Sequence, residues 1–174
     1  AERHARMVLR RDRHNKLANY VMGSLRLKDG DYSTAETFLR LSIDGEKPIA
    51  AALNDLAEVL RRLQRYDEAE AFARKSVAAQ PNLYVAWETL GSSLLDQNKN
   101  LEEAEKCVEK AIQLAKAELK VEDIRMQITL ARVQIAKGSL DKARTTLKQL
   151  RKRAAELSNY DRDQLETLTK AVMR

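Results

Sequence analysis

Residues 50–91 read AAALNDLAEVLRRLQRYDEAEAFARKSVAAQPNLYVAWETLG. Apolar residues recur here every three or four positions, the spacing of an amphipathic helix. The spacing predicts one helix from about Ala50 to Gln64 and a second from Asp67 to Gln80. Arg65-Tyr66 breaks them and Pro81-Asn82 closes the pair. Working outward from this stretch, Ala69 recurs as Ala35 and Ala1, Tyr66 as Tyr32, Leu56 as Met22 and Leu90, and Ala57 as Gly23 and Gly91. Four independent columns share a period of 34 residues, and a fixed period of that length is the mark of a helical repeat array.

The period sets the organisation. Residues 16–49, 50–83 and 84–118 are three units of two helices each, and 119–157 is a linker followed by a divergent fourth. Ala104 lies 35 residues after Ala69, so one extra residue is expected in the turn from Asn98 to Asn100. Gly30 and Gly138 occupy the same kind of turn but lie 108 apart, which places about five further residues near Lys120 to Asp123. Residues 1–15 match the second helix of a preceding unit, with Ala1 in the column of Ala35. The register therefore predicts an excised piece of a longer array with at least one helix upstream. Residues 158–174 carry Leu165, Leu168 and Val172 on one face and read as a capping helix. Ser33 with Glu36 fits a capping box for the second helix of the first unit, and Ser158 with Asp161 is a looser version that would start the last helix. Asp29-Gly30-Asp31 and Gly45 to Pro48 supply neighbouring breaks.

Composition agrees with an all-helical chain. Of 174 residues, 44% are hydrophobic, enough for a core, and 33% are charged. Only five Gly and two Pro are present, too few for a fold of many hairpins. The net charge of +6 comes from 32 basic and 26 acidic residues, a nearly balanced mixture. No apolar run approaches the roughly 18 residues that a spanning helix needs, so no membrane insertion is expected. One cysteine, Cys107, excludes an intramolecular disulfide and any multi-cysteine metal site. A soluble chain is expected, with the cytoplasm slightly favoured over the periplasm.

The third unit carries Trp87, Leu90 and Gly91 in a W-x-x-L-G spacing, and the second reads Tyr66-Asp67-Glu68-Ala69 before Pro81. In these motifs and in its period the chain resembles the tetratricopeptide repeat family, over nearly its whole length. The resemblance implies an all-α fold, a right-handed α-α superhelix of antiparallel helix pairs. Gly23, Ala57 and Gly91 would then be small where two helices of a unit cross, facing Ala35, Ala69 and Ala104. Three positions depart from the pattern. Arg26 stands where a large apolar residue is usual, Gln127 replaces the Trp-like residue of the fourth unit, and Arg13 stands where Pro81 does in the second.

Catalysis needs convergent groups, and few candidates exist. His4 and His14 are ten residues apart, neither a metal-ligand spacing nor a pairing with Cys107. Gly91-Ser92-Ser93 lies inside a predicted helix and so is no nucleophile elbow, and there is no Gly-rich phosphate loop. Glu102, Glu103, Glu105 and Glu109 read as a solvated helix face, and Cys107 and Trp87 as packing residues. The chain is expected to be no enzyme and to need no cofactor or metal.

Recognition is the alternative. In the family the first helix of each unit lines a concave surface that holds an extended peptide or a partner helix. The resemblance places Tyr20, Ser24 and Leu27, then Asn54, Glu58 and Arg61, then Glu88, Ser92 and Leu95, then Ile128, Arg132 and Ile135 on that surface. Asn54 would hold a peptide backbone, Arg61 or Arg132 a carboxylate, and Tyr20, Leu27 and Leu95 apolar side chains. A clamp for chaperone C-terminal carboxylates needs Lys, Asn and Arg where this chain has Tyr20, Ser24, Asp55, Val85 and Thr89, so no such binding is expected. The alternatives are an RNA or acidic partner on the basic ends, a spacer, or self-association through exposed solenoid ends. One basic end is Arg3 to Lys16 and the other Lys137 to Arg153. The absence of interleaved aromatics argues against nucleic acid.

Overall fold

A computed structural model describes residues 1–45, 47–120 and 123–172. Among these residues the chain forms ten α-helices: α1 (Glu2–Arg11), α2 (Lys16–Lys28), α3 (Tyr32–Ser42), α4 (Ala50–Arg62), α5 (Tyr66–Ala79), α6 (Tyr84–Asp96), α7 (Leu101–Leu119), α8 (Ile124–Ala136), α9 (Leu140–Lys152) and α10 (Asn159–Val172). A single 3-10 turn, Ala154–Glu156, precedes the last of them. No strand occurs among the described residues, and the fold is all-α.

Consecutive helices pack on one another throughout. In addition α2 touches α4, α4 touches α6 and α6 touches α8, whereas α3, α5, α7 and α9 make no comparable contacts with one another. The even-numbered helices are thus the crowded inner row of a curved stack and the odd-numbered ones its splayed outer row. That asymmetry creates a concave face along α2, α4, α6 and α8.

Small residues at the crossings make the pairs tight. A Cβ on Gly23 would lie 2.6 Å from Leu39 Cγ. One on Gly91 would lie 2.6 Å from Val108 Cγ2 and 3.0 Å from the backbone oxygen of Ala104, which has no room to move. Opposite them Ala35, Ala69, Ala104 and Ala143 are fully buried. Leu39, Leu56, Leu60, Leu94 and Leu147 fill the space between units. At one end α10 lays Leu165, Leu168 and Val172 on Leu147, Leu150 and Leu157 and covers the last apolar face.

The turns inside the pairs repeat one backbone device. Gly30, Gln64, Asn98 and Gly138 each adopt a left-handed conformation, with φ of 79°, 60°, 50° and 80°. Glycine does this without a steric cost, while Gln64 does it against one. The residue added to the third turn is accommodated by a second left-handed position, Asn100, at φ 43°.

Three expectations are corrected. The cap of α3 is Asp31, whose side chain accepts from the Thr34 amide at 3.2 Å, and Ser33 lies inside the first turn. An ionised carboxylate is the better acceptor at the positive end of a helix. Glu36 turns outward to Arg40 and to Arg65, both at 2.7 Å. The extra residues after the third unit lie in α7 itself, which runs for 19 residues where α5 has 14 and stops only when Lys120 turns left-handed. Within the segment expected to hold them, Val121 and Glu122 lie outside the described residues. Finally, Glu105 is not on a solvated face. It is only 4% exposed, and its carboxylate meets Lys137 Nζ at 2.7 Å and Lys142 Nζ at 3.2 Å. Ser158 does start α10: its hydroxyl accepts from the Asp161 amide and donates to the Asp161 carboxylate.

Candidate functional site

The concave face opens into a groove of ≈ 560 Å³. Its walls are Asn54, Asp55, Glu58 and Arg61 from α4, Val85, Glu88, Thr89 and Ser92 from α6, and Met126, Ile128, Thr129 and Arg132 from α8; Tyr160, Asp161 and Gln164 of α10 close one end. Three successive first helices present one face each, because positions 34 apart in α4 and α6, and 40 apart in α6 and α8, fall at equivalent points of stacked helices. Asn54 and Glu88 are such a pair, as are Asp55 and Thr89.

Of the residues read from the sequence, Asn54, Glu58, Arg61, Glu88, Ser92, Ile128 and Arg132 line this groove. Tyr20, Ser24, Leu27, Leu95 and Ile135 do not. Tyr20 and Leu27 pack on the core around Leu56, Leu95 on that around Leu94, and Ile135 on that around Leu147. Apolar groups at these positions gain more from their own unit's core than from water. The Ser24 hydroxyl donates to Asp55 Oδ2 at 2.5 Å.

The charges in the groove divide into two sets. Arg61 is engaged already: its guanidinium donates to Glu58 at 2.6 Å and to Asp96 at 2.7 and 2.9 Å. Burial opposes its charge, but Glu58 and Asp96 outweigh that and hold it firmly protonated. Arg132 stands 3.7 Å from the other Asp96 oxygen. A ligand carboxylate at Arg61 would therefore compete with two resident ones.

The second set lacks cations. Asp55 is half-buried and takes only the Ser24 hydroxyl and a long bond, 3.4 Å, from Asn54 Nδ2. Burial pushes its carboxyl above the usual range, against the pull of Ser24, Asn54 and the more distant Lys28. Glu88 is crowded by protein atoms yet open to the groove. Its Oε1 accepts from Ser92 Oγ at 3.0 Å and Thr129 Oγ1 at 3.4 Å. Burial raises its carboxyl too, and Arg61 offsets this only in part. Neither residue forms an ion pair among the described residues. Beside them Asn54, 8% exposed, holds a buried Oδ1 with no donor. Tyr20 is affected at the edge of this set: burial, then the Asp55 charge, raises its phenol.

Asp55, Asp96 and Thr129 are groove determinants that periodicity did not single out. Their signal was present for Asp55 and Thr89, which share a column, but hydroxyl and carboxylate differ too much for identity to expose it.

Among the described residues no group of three or more His, Cys, Asp or Glu is placed to hold a metal ion. Cys107 is buried, and burial pushes its thiol up to about 11, so it is a packing thiol rather than a nucleophile. No helix of the described residues is long and apolar enough to cross a membrane. The basic ends are partly consumed internally: Lys137 and Lys142 by Glu105, Arg144 by Asp141 and the Val172 carbonyl, Arg6 by Glu2.

Patterns describing the tetratricopeptide repeat match residues 20–84 and again 84–118. The chain belongs to the tetratricopeptide repeat family. Solved structures of the same fold include MamA, 18% identical over 90% of both chains with a TM-score of 0.72. MamA from Desulfovibrio magneticus RS-1 is 20% identical over 91% of this chain and 86% of that one, at 0.73. The first tetratricopeptide domain of Spaghetti (RPAP3), bound to the HSP90 peptide SRMEEVD, is 20% identical over 71% of this chain and 94% of its own, at 0.63. No curated protein matches in sequence. Tetratricopeptide repeats are typically non-enzymatic protein-interaction modules, and the fold of this chain matches a protein-interaction scaffold in general.

Proposed function

We propose that this chain is a non-enzymatic scaffold that holds an extended peptide or a partner helix in the groove over α4, α6 and α8. The supporting observation is the groove itself: three stacked helices turn polar and half-buried side chains onto one open channel closed at one end by α10. The Spaghetti domain, of the same fold, binds an acidic peptide. In this chain Asp55 and Glu88 stand in the groove without cations, so an acidic C-terminus is not the ligand we assign to it.

The reading is tested by panning a random-peptide phage library on the immobilised protein. A parallel sample carries Arg132→Cys blocked with a bulky maleimide. Burial of Cys107 and its raised thiol direct the label to the introduced cysteine. Peptides should be enriched on the unblocked protein and lost on the blocked one. Enrichment that survives the block would place recognition elsewhere. A second copy docking on the α1 end, where Met7 and Leu17 are 52% and 63% exposed, is the competing use of the surface. Light scattering should show a monomer if the groove is the main site.

A further inference from the structure

Asp55, Glu88 and Asn54 line one groove, and none of their acceptor oxygens has a cation as partner among the described residues. Asp55 and Glu88 are carboxylates in crowded surroundings, hydrogen-bonded only by hydroxyls and one weak amide contact. Asn54, next to Asp55 in the chain and in the register column of Glu88, is more than nine-tenths buried and its Oδ1 has no donor. A buried polar group without a partner costs about 1–3 kcal/mol, and an uncompensated charge costs more. The fold offers a remedy elsewhere: the comparably acidic Glu105 has two lysines. The nearest arginine of the groove, Arg61, is held by Glu58 and Asp96 and does not reach this set.

We propose that this acceptor set is the receptor for a cation on the partner: a lysine or arginine side chain of an extended segment, donating to Asp55, Glu88 and Asn54 Oδ1. Such a group has three or five N–H donors, no acceptors and a full positive charge, which is the complement of two carboxylates and an orphaned amide oxygen. An acidic or apolar side chain brings no donor, and a neutral polar one brings a donor but leaves both carboxylates without a counter-charge. The inference rests on the groove being the peptide site and names the chemical class of the residue it takes. The charged groups acting on the set are Lys28 and Glu58 around Asp55, and Arg61 and Glu58 around Glu88, and the same groove is lined by Arg62, Asp123, Arg125, Arg132 and Asp161; among the described residues none of these cations forms an ion pair with Asp55 or Glu88.

The experiment uses the full chain and the same random-peptide library, panned on wild type and on Asp55→Asn/Glu88→Gln. Peptides from the wild type should share a Lys or Arg, and those from the variant should lose it. Replacing that residue by Met in a synthetic peptide should weaken binding to wild type about tenfold or more, and binding to the variant hardly at all. Acidification through the carboxylate range should weaken the Lys peptide and leave its Met version unaffected. A circular-dichroism melt no lower than that of wild type shows that the variant folds. Groove-blocked peptides with an acidic or purely apolar consensus, equally bound by the variant, would overturn the cation assignment while leaving the groove as the peptide site. No peptide sensitive to the Arg132→Cys block would overturn both.

Discussion

Glu88 and Glu105 belong to adjoining helices, α6 and α7, and both have been drawn into the protein, but their surroundings are opposite. Glu105 faces the outer row, where Lys137 and Lys142 close on its two oxygens. Burial alone would raise its carboxyl, yet the two lysines outweigh burial and hold it below the usual range. Glu88 faces the groove, where among the described residues two hydroxyls are its hydrogen-bond donors, and its carboxyl is raised. The first is a strut between units that the fold completes by itself. The second is unfinished, and it is unfinished on the concave face, where a partner has access. The two sites thus differ in whether the stacking of the units supplies a cation to a carboxylate that burial has made costly.

The contrast can be broken most sharply by removing the strut. Lys137→Met/Lys142→Met strands Glu105 in its buried site. The expected loss is about 2–3 kcal/mol in a urea melt, below the figure for a fully buried pair because Lys142 is largely exposed. A loss no larger than that of a surface control would show that Glu105 is not held as described. Next in size, Ser24→Ala removes the strongest donor to Asp55 and should cost about 1–2 kcal/mol by leaving that carboxylate to Asn54 alone. A neutral outcome would mean that water replaces the hydroxyl and that the groove wall is wetter than its packing suggests.

Glu88→Gln runs the other way. It removes an uncompensated charge while keeping an oxygen for Ser92 and Thr129, so the free protein should gain about 0.5–1 kcal/mol. A destabilised variant would make Glu88 a structural residue like Glu105. The smallest effect is a pH dependence of opposite sign at the two sites. A raised carboxyl binds its proton more tightly folded than unfolded, so the stability contributed at Glu88 is full below the ordinary glutamate value and lost as pH rises through the higher folded one. A lowered carboxyl contributes above the ordinary value and loses that contribution as pH falls through the lower folded one, which is the case at Glu105. Melts of wild type and Glu88→Gln should therefore converge as pH falls into the carboxylate range. Wild type and Lys137→Met/Lys142→Met should converge as well, from the other direction, because the wild type then loses its strut.

Much of this architecture was legible in the residues. Gly23, Ala57 and Gly91 at one period announce a close crossing, and the geometry at Gly91 shows why: a Cβ there would meet the Ala104 carbonyl oxygen. The turn positions were half legible, through Gly30 and Gly138. Gln64 and Asn98 adopt the same backbone without the residue that advertises it. Within the groove, columns pick out Asn54, Glu58, Glu88, Ser92 and Arg132, but not the parts of Asp55 and Asp96, which depend on Ser24 and Arg61 of other units. Several ion pairs between units repeat at a separation of 29, among them Glu36 with Arg65, Glu70 with Lys99 and Glu103 with Arg74. That regularity is a signal sequence reading can use for the outer row. It has no counterpart in the groove.

What the residues alone determined is the repeating pair of amphipathic helices and the places where a pair must be thin, because periodicity and side-chain size are local properties repeated along the chain. What only the tertiary structure decided is which charges found partners. Glu102, Glu103, Glu105 and Glu109 look alike along a helix, and Glu58 and Glu88 look alike as first-helix residues about one turn apart in register. Their fates were set by the lysine, arginine or hydroxyl that the stacking of another unit brought within hydrogen-bond reach, and by the dielectric surroundings that burial created around them.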